Sequence, residues 1–210
     1  MNSDQIRYSM LQHPTTRPFF VGVFAKDTLP AERLSAQLDL PVLLIANTDD
    51  SSEPGEHWTL FWLSTDSCHF MDSYGFPPSF YGDEFQEFAQ KQANTQQSNR
   101  KCVQALNSDT CGHWCLYVAF HLCKLAASGC IEDDDDLFGT ILAPFDDDRP
   151  ASRQRNDSLV RQFISRTFPS ALQSSGKALI TVMQRQCCQR HCSVLGRRYG
   201  CQHDGRHQTA

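Results

Sequence analysis

Gln104-Ala105-Leu106-Asn107-Ser108-Asp109-Thr110-Cys111-Gly112 runs straight into His113-Trp114-Cys115-Leu116-Tyr117-Val118-Ala119-Phe120-His121-Leu122-Cys123-Lys124-Leu125-Ala126-Ala127. The stretch changes character at Cys111. Asn107 to Thr110 are capping and turn residues. Cys111 to Ala127 then reads as a helix whose only full charge is Lys124, with apolar side chains around its whole circumference. A helix of that kind belongs in the middle of a domain, and a thiol at its first residue faces whatever cleft lies at its start.

Upstream, the pattern is strand-like. Phe19–Phe24 and Val42–Ala46 are short apolar runs, and Ala31–Leu38 has room for a helical turn or two. His57–Leu63 and Cys68–Tyr74 read as a hairpin joined by Ser64–Ser67. Both faces of the first of these strands are apolar, as in a sheet covered on each side. Pro78–Gln92 is expected to be helical, Asn94–Arg100 a polar loop, and Cys102–Gln104 a short strand. Leu159, Val160, Phe163, Ile164 and Phe168 mark an amphipathic helix, and Lys177–Gln189 a last one. The expectation is an α+β domain over residues 1–189, one mixed central β-sheet on a buried helix with further C-terminal helices. Residues 190–210 form a basic, loose tail.

Composition narrows the setting. The 210 residues are 40% hydrophobic and 20% charged, which suits a globular chain with a sizeable core. No apolar run approaches the roughly 18 residues of a membrane span, and the polar start Met1–Gln5 is neither a secretory signal nor a transit peptide. Five of the ten cysteines fall between Cys102 and Cys130, two of them inside the apolar helix, so free thiols in a reducing, intracellular compartment are expected. The net charge of −5 conceals a division. Residues 1–148 carry 8 basic and 22 acidic side chains, and residues 149–210 carry 11 and 2. The basic part suits a polyanion, or the acidic body itself.

Cys111 is the candidate nucleophile. A helix start favours its thiolate, and Gly112 would let a substrate backbone approach. An imidazole must accept the proton, oriented by a third group. With Leu63 opposite Cys68, opposite residues sum to 131, so His57 faces Tyr74 and Asp72 is its diagonal neighbour on the same face. The Cys111 N–H and the Gln104 side-chain amide are candidate donors to an oxyanion. The rivals are bland ones. Cys115 has apolar neighbours throughout, His69 and His121 read as core or surface histidines, and Asp66 falls in the turn.

The order His57-Trp58, Asp72, Gln104, six residues, Cys111-Gly112 resembles the adenovirus maturation protease (adenain) family and its relatives in viruses and transposons. The wider clan includes SUMO-type proteases. The likeness extends from Arg17 to about Ile180 and includes Leu137–Pro144 and Arg155-Asn156. It implies a papain-like fold and a cysteine endopeptidase that processes capsid or core precursor proteins in virion maturation, in the host nucleus and the virion. Cys111 matches the nucleophile, His57 the base, Gln104 the oxyanion glutamine, and Asp72 stands where adenain carries glutamate. The resemblance further implies activation by a capsid-derived peptide, disulfide-linked to a cysteine for which Cys102 is the nearest candidate, and by DNA meeting the basic 149–210 region. No metal or organic cofactor is expected. The alternatives are a protease for ubiquitin-like modifiers and a non-enzymatic nucleic-acid-binding packaging protein. The Cys/His-rich stretch Cys187, Cys188, His191, Cys192, Cys201, His203 and His207 could close a zinc site, although its spacing fits no common finger.

Overall fold

Period-two burial builds the sheet. In strand β2 (Val42–Asn47) Leu43 and Ile45 point to one face, while Val42, Leu44 and Ala46 point to the other. In β3 (Trp58–Leu63) Trp58, Leu60 and Trp62 join the first set and Phe61 and Leu63 the second. Every residue of these two strands is buried, which identifies the middle of a sheet covered on both sides. The computed structural model describes residues 1–131, 136–146 and 149–172. The expected helix at Lys177–Gln189 and the Cys/His-rich stretch lie outside the described residues.

The sheet has five strands in the order β1 (Phe20–Phe24), β2, β3, β4 (Ser67–Met71), β5 (Thr95–Ser98). The outer pairs are parallel and the inner two antiparallel, so the sheet is mixed. The β3–β4 register pairs Leu63 with Cys68 and Leu60 with Met71, as the hairpin parity predicts. Helix α3 (Cys111–Ala127) packs on one face with α1 (Ser3–Gln12), α4 (Leu137–Leu142) and α5 (Pro150–Thr167). Helix α2 (Asp83–Gln92) covers the opposite face through Phe85, Phe88 and Ala89. The architecture is α+β, and no helix among the described residues is long and apolar enough to cross a membrane.

Several expectations are corrected. The expected strand at Cys102–Gln104 is absent. That segment is clipped beside β4 by the Val103 and Gln104 N–H groups, both donating to the Ser73 carbonyl. The fifth strand lies instead in the polar stretch Thr95–Ser98, at the sheet edge, where half of its residues are exposed and no apolar alternation is needed. The helix expected over Pro78–Gln92 is broken at Gly82, whose φ of +113° separates a 3-10 turn from α2. Helix α1 went unexpected because Met1–Gln5 is polar. Asn2 and Gln5 close a reciprocal capping box that starts it, and Ile6 and Met10 anchor it to the core. Tyr117, Phe120 and His121 of α3 are only half-buried, so that helix is sealed on most of its circumference rather than all of it.

Candidate active site

His57 and Asp72 flank the paired part of the hairpin, one just before β3 and one just after β4. Continuation of the register brings them together: His57 Nε2 and Asp72 Oδ1 are 2.6 Å apart. Asp72 is fully buried and held on all sides. Its other carboxylate oxygen accepts the Phe76 N–H at 2.9 Å. Asn99 clamps its backbone, accepting the Asp72 N–H at 2.8 Å and donating to the Asp72 carbonyl at 2.7 Å. Gly75, at φ +82°, closes the turn after Asp72 by donating its N–H to the Asp72 carbonyl. A side chain there would strike the Arg100 carbonyl at 2.8 Å.

The imidazole lies between two phenols, stacked on Tyr74 (centroids 5.0 Å, 22°) and on Tyr81 (5.8 Å, 23°). With Nε2 committed to Asp72, Nδ1 is the nitrogen left for Cys111, the first residue of α3. Burial works against charge on His57, but the hydrogen bonds to Asp72 and Cys111 and their negative charges outweigh it, raising its pKa to about 9. Burial likewise opposes the Cys111 thiolate. The His57 hydrogen bond and charge, with the Trp58 and Gly112 backbone N–H groups, win, and the thiol pKa falls below its ordinary value. The two shifts run in opposite directions and share one cause, the pairing of His57 with Cys111.

The α3 start differs from the expectation of a side-chain cap. Thr110, the N-cap residue, makes no capping bond, and its hydroxyl donates to Asp157 Oδ1 at 2.7 Å. The first N–H groups of α3 thus have no side-chain cap, and that of Gly112 favours the Cys111 thiolate. Gly112 also serves another purpose than expected. A Cβ there would meet Met1, Trp58 and Ile6 at 3.1–3.4 Å, so the glycine admits α1 and the Trp58 ring, not a substrate backbone. The Trp58 indole donates to the Met1 carbonyl at 3.0 Å, completing that packing.

Gln104 is buried beside this group, its side-chain oxygen accepting from Ser73 at 2.6 Å and its Nε2 donating to Tyr74 Oη at 3.0 Å and the Ser108 carbonyl at 2.8 Å. Cys102 is half-buried with its sulfur 3.7 Å from the Gln104 carbonyl. The bland readings of the rivals hold. Cys115 is wholly buried and its thiol pKa is pushed far up by that burial. His69 bonds Ser67 in the core, and Asp66 is exposed in the turn.

Sequence reasoning missed Tyr81, Asn99 and Asp157. Asp157, on α5, accepts from Thr110, from the Trp114 indole at 2.9 Å and from the Ala105 N–H at 3.2 Å, tying together the loop and helix that carry Gln104 and Cys111. One signal was present: Asp157 and Asp204 are the only acidic residues after Asp148. Comparison of the chain with protein-family models and with curated proteins gave no match.

Proposed function

We propose that the chain is a cysteine peptidase of papain-like fold, resembling the adenain family, that cleaves precursor proteins of a viral or mobile-element particle. The observation that carries the catalytic part is the short His57–Asp72 bond on a ring whose charge is also favoured by Cys111, at the start of a buried helix. In this mechanism Cys111 rests as a thiolate beside an imidazolium. The sulfur attacks the peptide carbonyl, the carbonyl electron pair moves to oxygen, and backbone N–H groups at the α3 start stabilise that charge. His57 then protonates the leaving amine as the acyl-enzyme forms. Water, deprotonated by His57, releases the acid and restores the thiolate–imidazolium pair. Asp72 holds the ring orientation throughout.

The choice of substrate follows from the family resemblance, as does DNA contact through the basic region. The test is active-site labelling of the full chain with iodoacetamide at neutral pH, together with cleavage of short Gly-containing peptides and of a SUMO C-terminal reporter. Cys111 should label first, and both Cys111→Ala and His57→Ala should abolish cleavage with the fold intact. Full cleavage by Cys111→Ala would end this mechanism. Salt-sensitive DNA binding with no labelling of Cys111 would favour a packaging protein instead.

A further inference from the structure

Gln104 cannot offer a proton to a substrate as it stands. Its amide orientation is fixed, because the Ser108 carbonyl, 2.8 Å away, only accepts, and so must face the NH2 side. The second proton of that NH2 goes to Tyr74 Oη at 3.0 Å, and the amide oxygen is taken by the Ser73 hydroxyl. Both amide protons are committed in a residue with 1% of its surface exposed. Releasing either means breaking a hydrogen bond in a dry surround, which leaves a buried group unsatisfied.

Tyr74 is the group to which this chain of bonds leads. Its oxygen receives the Gln104 proton, while its own O–H donates to no group among the described residues. The residue is half-buried and not sealed in the core. Stacking on the His57 ring fixes the phenol against the imidazole, and it feels the charge of Cys111. A phenol that accepts one hydrogen bond becomes a better donor of the next.

We propose that the Tyr74 hydroxyl is the side-chain donor to the oxyanion, with Gln104 as the positioning residue that holds and polarises it. This rests on the peptidase reading above and assigns a further catalytic residue to it. As the Cys111 sulfur–carbon bond forms, the carbonyl π pair moves to oxygen and receives the Tyr74 O–H and the Cys111 N–H. The phenol keeps its proton, and the carbonyl reforms when the bond to the leaving group breaks. Burial, and then the thiolate charge, push the Tyr74 pKa above the usual phenol value, so the donor stays protonated at neutral pH.

Two reactions at the same sulfur separate this role from others. Acylation by p-nitrophenyl acetate passes through an oxyanion and needs no proton for its leaving group, whereas alkylation by iodoacetamide is a direct displacement with no oxyanion. With Cys111→Ala as the blank, Tyr74→Phe should slow acylation on the order of 100-fold, the magnitude for loss of one oxyanion donor, and leave the alkylation rate within about twofold. Wild-type acylation by Tyr74→Phe would overturn the assignment and return the role to Gln104. Equal loss of both rates would overturn it too, showing that Tyr74 acts by holding His57. A wild-type chain that neither acylates nor alkylates at Cys111 would instead overturn the peptidase reading.

Discussion

Replacing Asp157 by Asn tests how the loop and helix around Cys111 are held. Oδ1 of Asp157 accepts from Thr110 at 2.7 Å and from the Trp114 indole at 2.9 Å, and Oδ2 accepts the Ala105 N–H at 3.2 Å. An asparagine must choose. With its oxygen toward Thr110 and Trp114 it keeps two bonds and sets an NH2 group against the Ala105 N–H. The reverse orientation confronts the indole, which only donates. The first arrangement therefore wins and loses one bond to a charged acceptor, about 1.5–3 kcal/mol, while the retained pair weakens. The lower cost of burying an amide offsets part of this. The net expectation is a loss of about 2 kcal/mol, or roughly 4–8 °C in Tm for a chain of this size. Calorimetry and urea unfolding measure it. Because Ala105 adjoins Gln104, acylation at 25 °C should also fall in chains that remain folded. A Tm within about 1 °C of wild type, with unchanged acylation, would refute the reasoning.

Other expectations follow from the same geometry. Because the Cys111 thiol is lowered and the His57 imidazolium persists to about pH 9, iodoacetamide alkylation should already be fast at pH 7 and its acid limb should lie below the ordinary thiol range. Peptide hydrolysis, which also needs the imidazolium as acid, should decline as pH rises through about 9; a single alkylation rise centred near 9 would deny the ion pair. Cys115→Ala removes one wholly buried sulfur and should cost about 1 kcal/mol in urea unfolding, with Cys111 labelling unaffected. Gly75→Ala places a side chain at φ +82° against the Arg100 carbonyl and should lower stability by about 1–3 kcal/mol and disturb the turn behind Asp72, an outcome that an unchanged thermal melt would exclude.

The parts of this fold that could be read from sequence are those written in apolar periodicity. Helix α3 begins and ends where the pattern does, and the β3–β4 register follows from a four-residue connection and two apolar strands. That register alone places His57 beside Asp72. The edge strand β5 gave no such signal, since Thr95-Gln96-Gln97-Ser98 buries little and is held by backbone pairing to β4. Asn99 and Asp157 were out of reach for a related reason. The groups they hold, Asp72 for Asn99 and Ala105 and Trp114 for Asp157, lie 27 to 52 residues away, and a single polar residue carries no period that points to them.

The loop before α3 shows how local chemistry can be read correctly and its purpose inverted. Ser108, Asp109 and Thr110 are all good capping residues, and none caps the helix. Ser108 and Thr110 share a hydroxyl bond at 2.8 Å, Thr110 turns to Asp157, and Asp109 pairs with Arg161. Withholding the cap costs about 1 kcal/mol, a sum the buried face of α3 readily covers, because Trp114, Leu116, Val118 and Leu122 are all fully enclosed. What the helix gives up in stability it keeps as N–H groups without a side-chain cap at the sulfur, that of Gly112 among them. A capping side chain would compete with the thiolate for those same donors, so the residues that look like a cap serve the site by facing away from it.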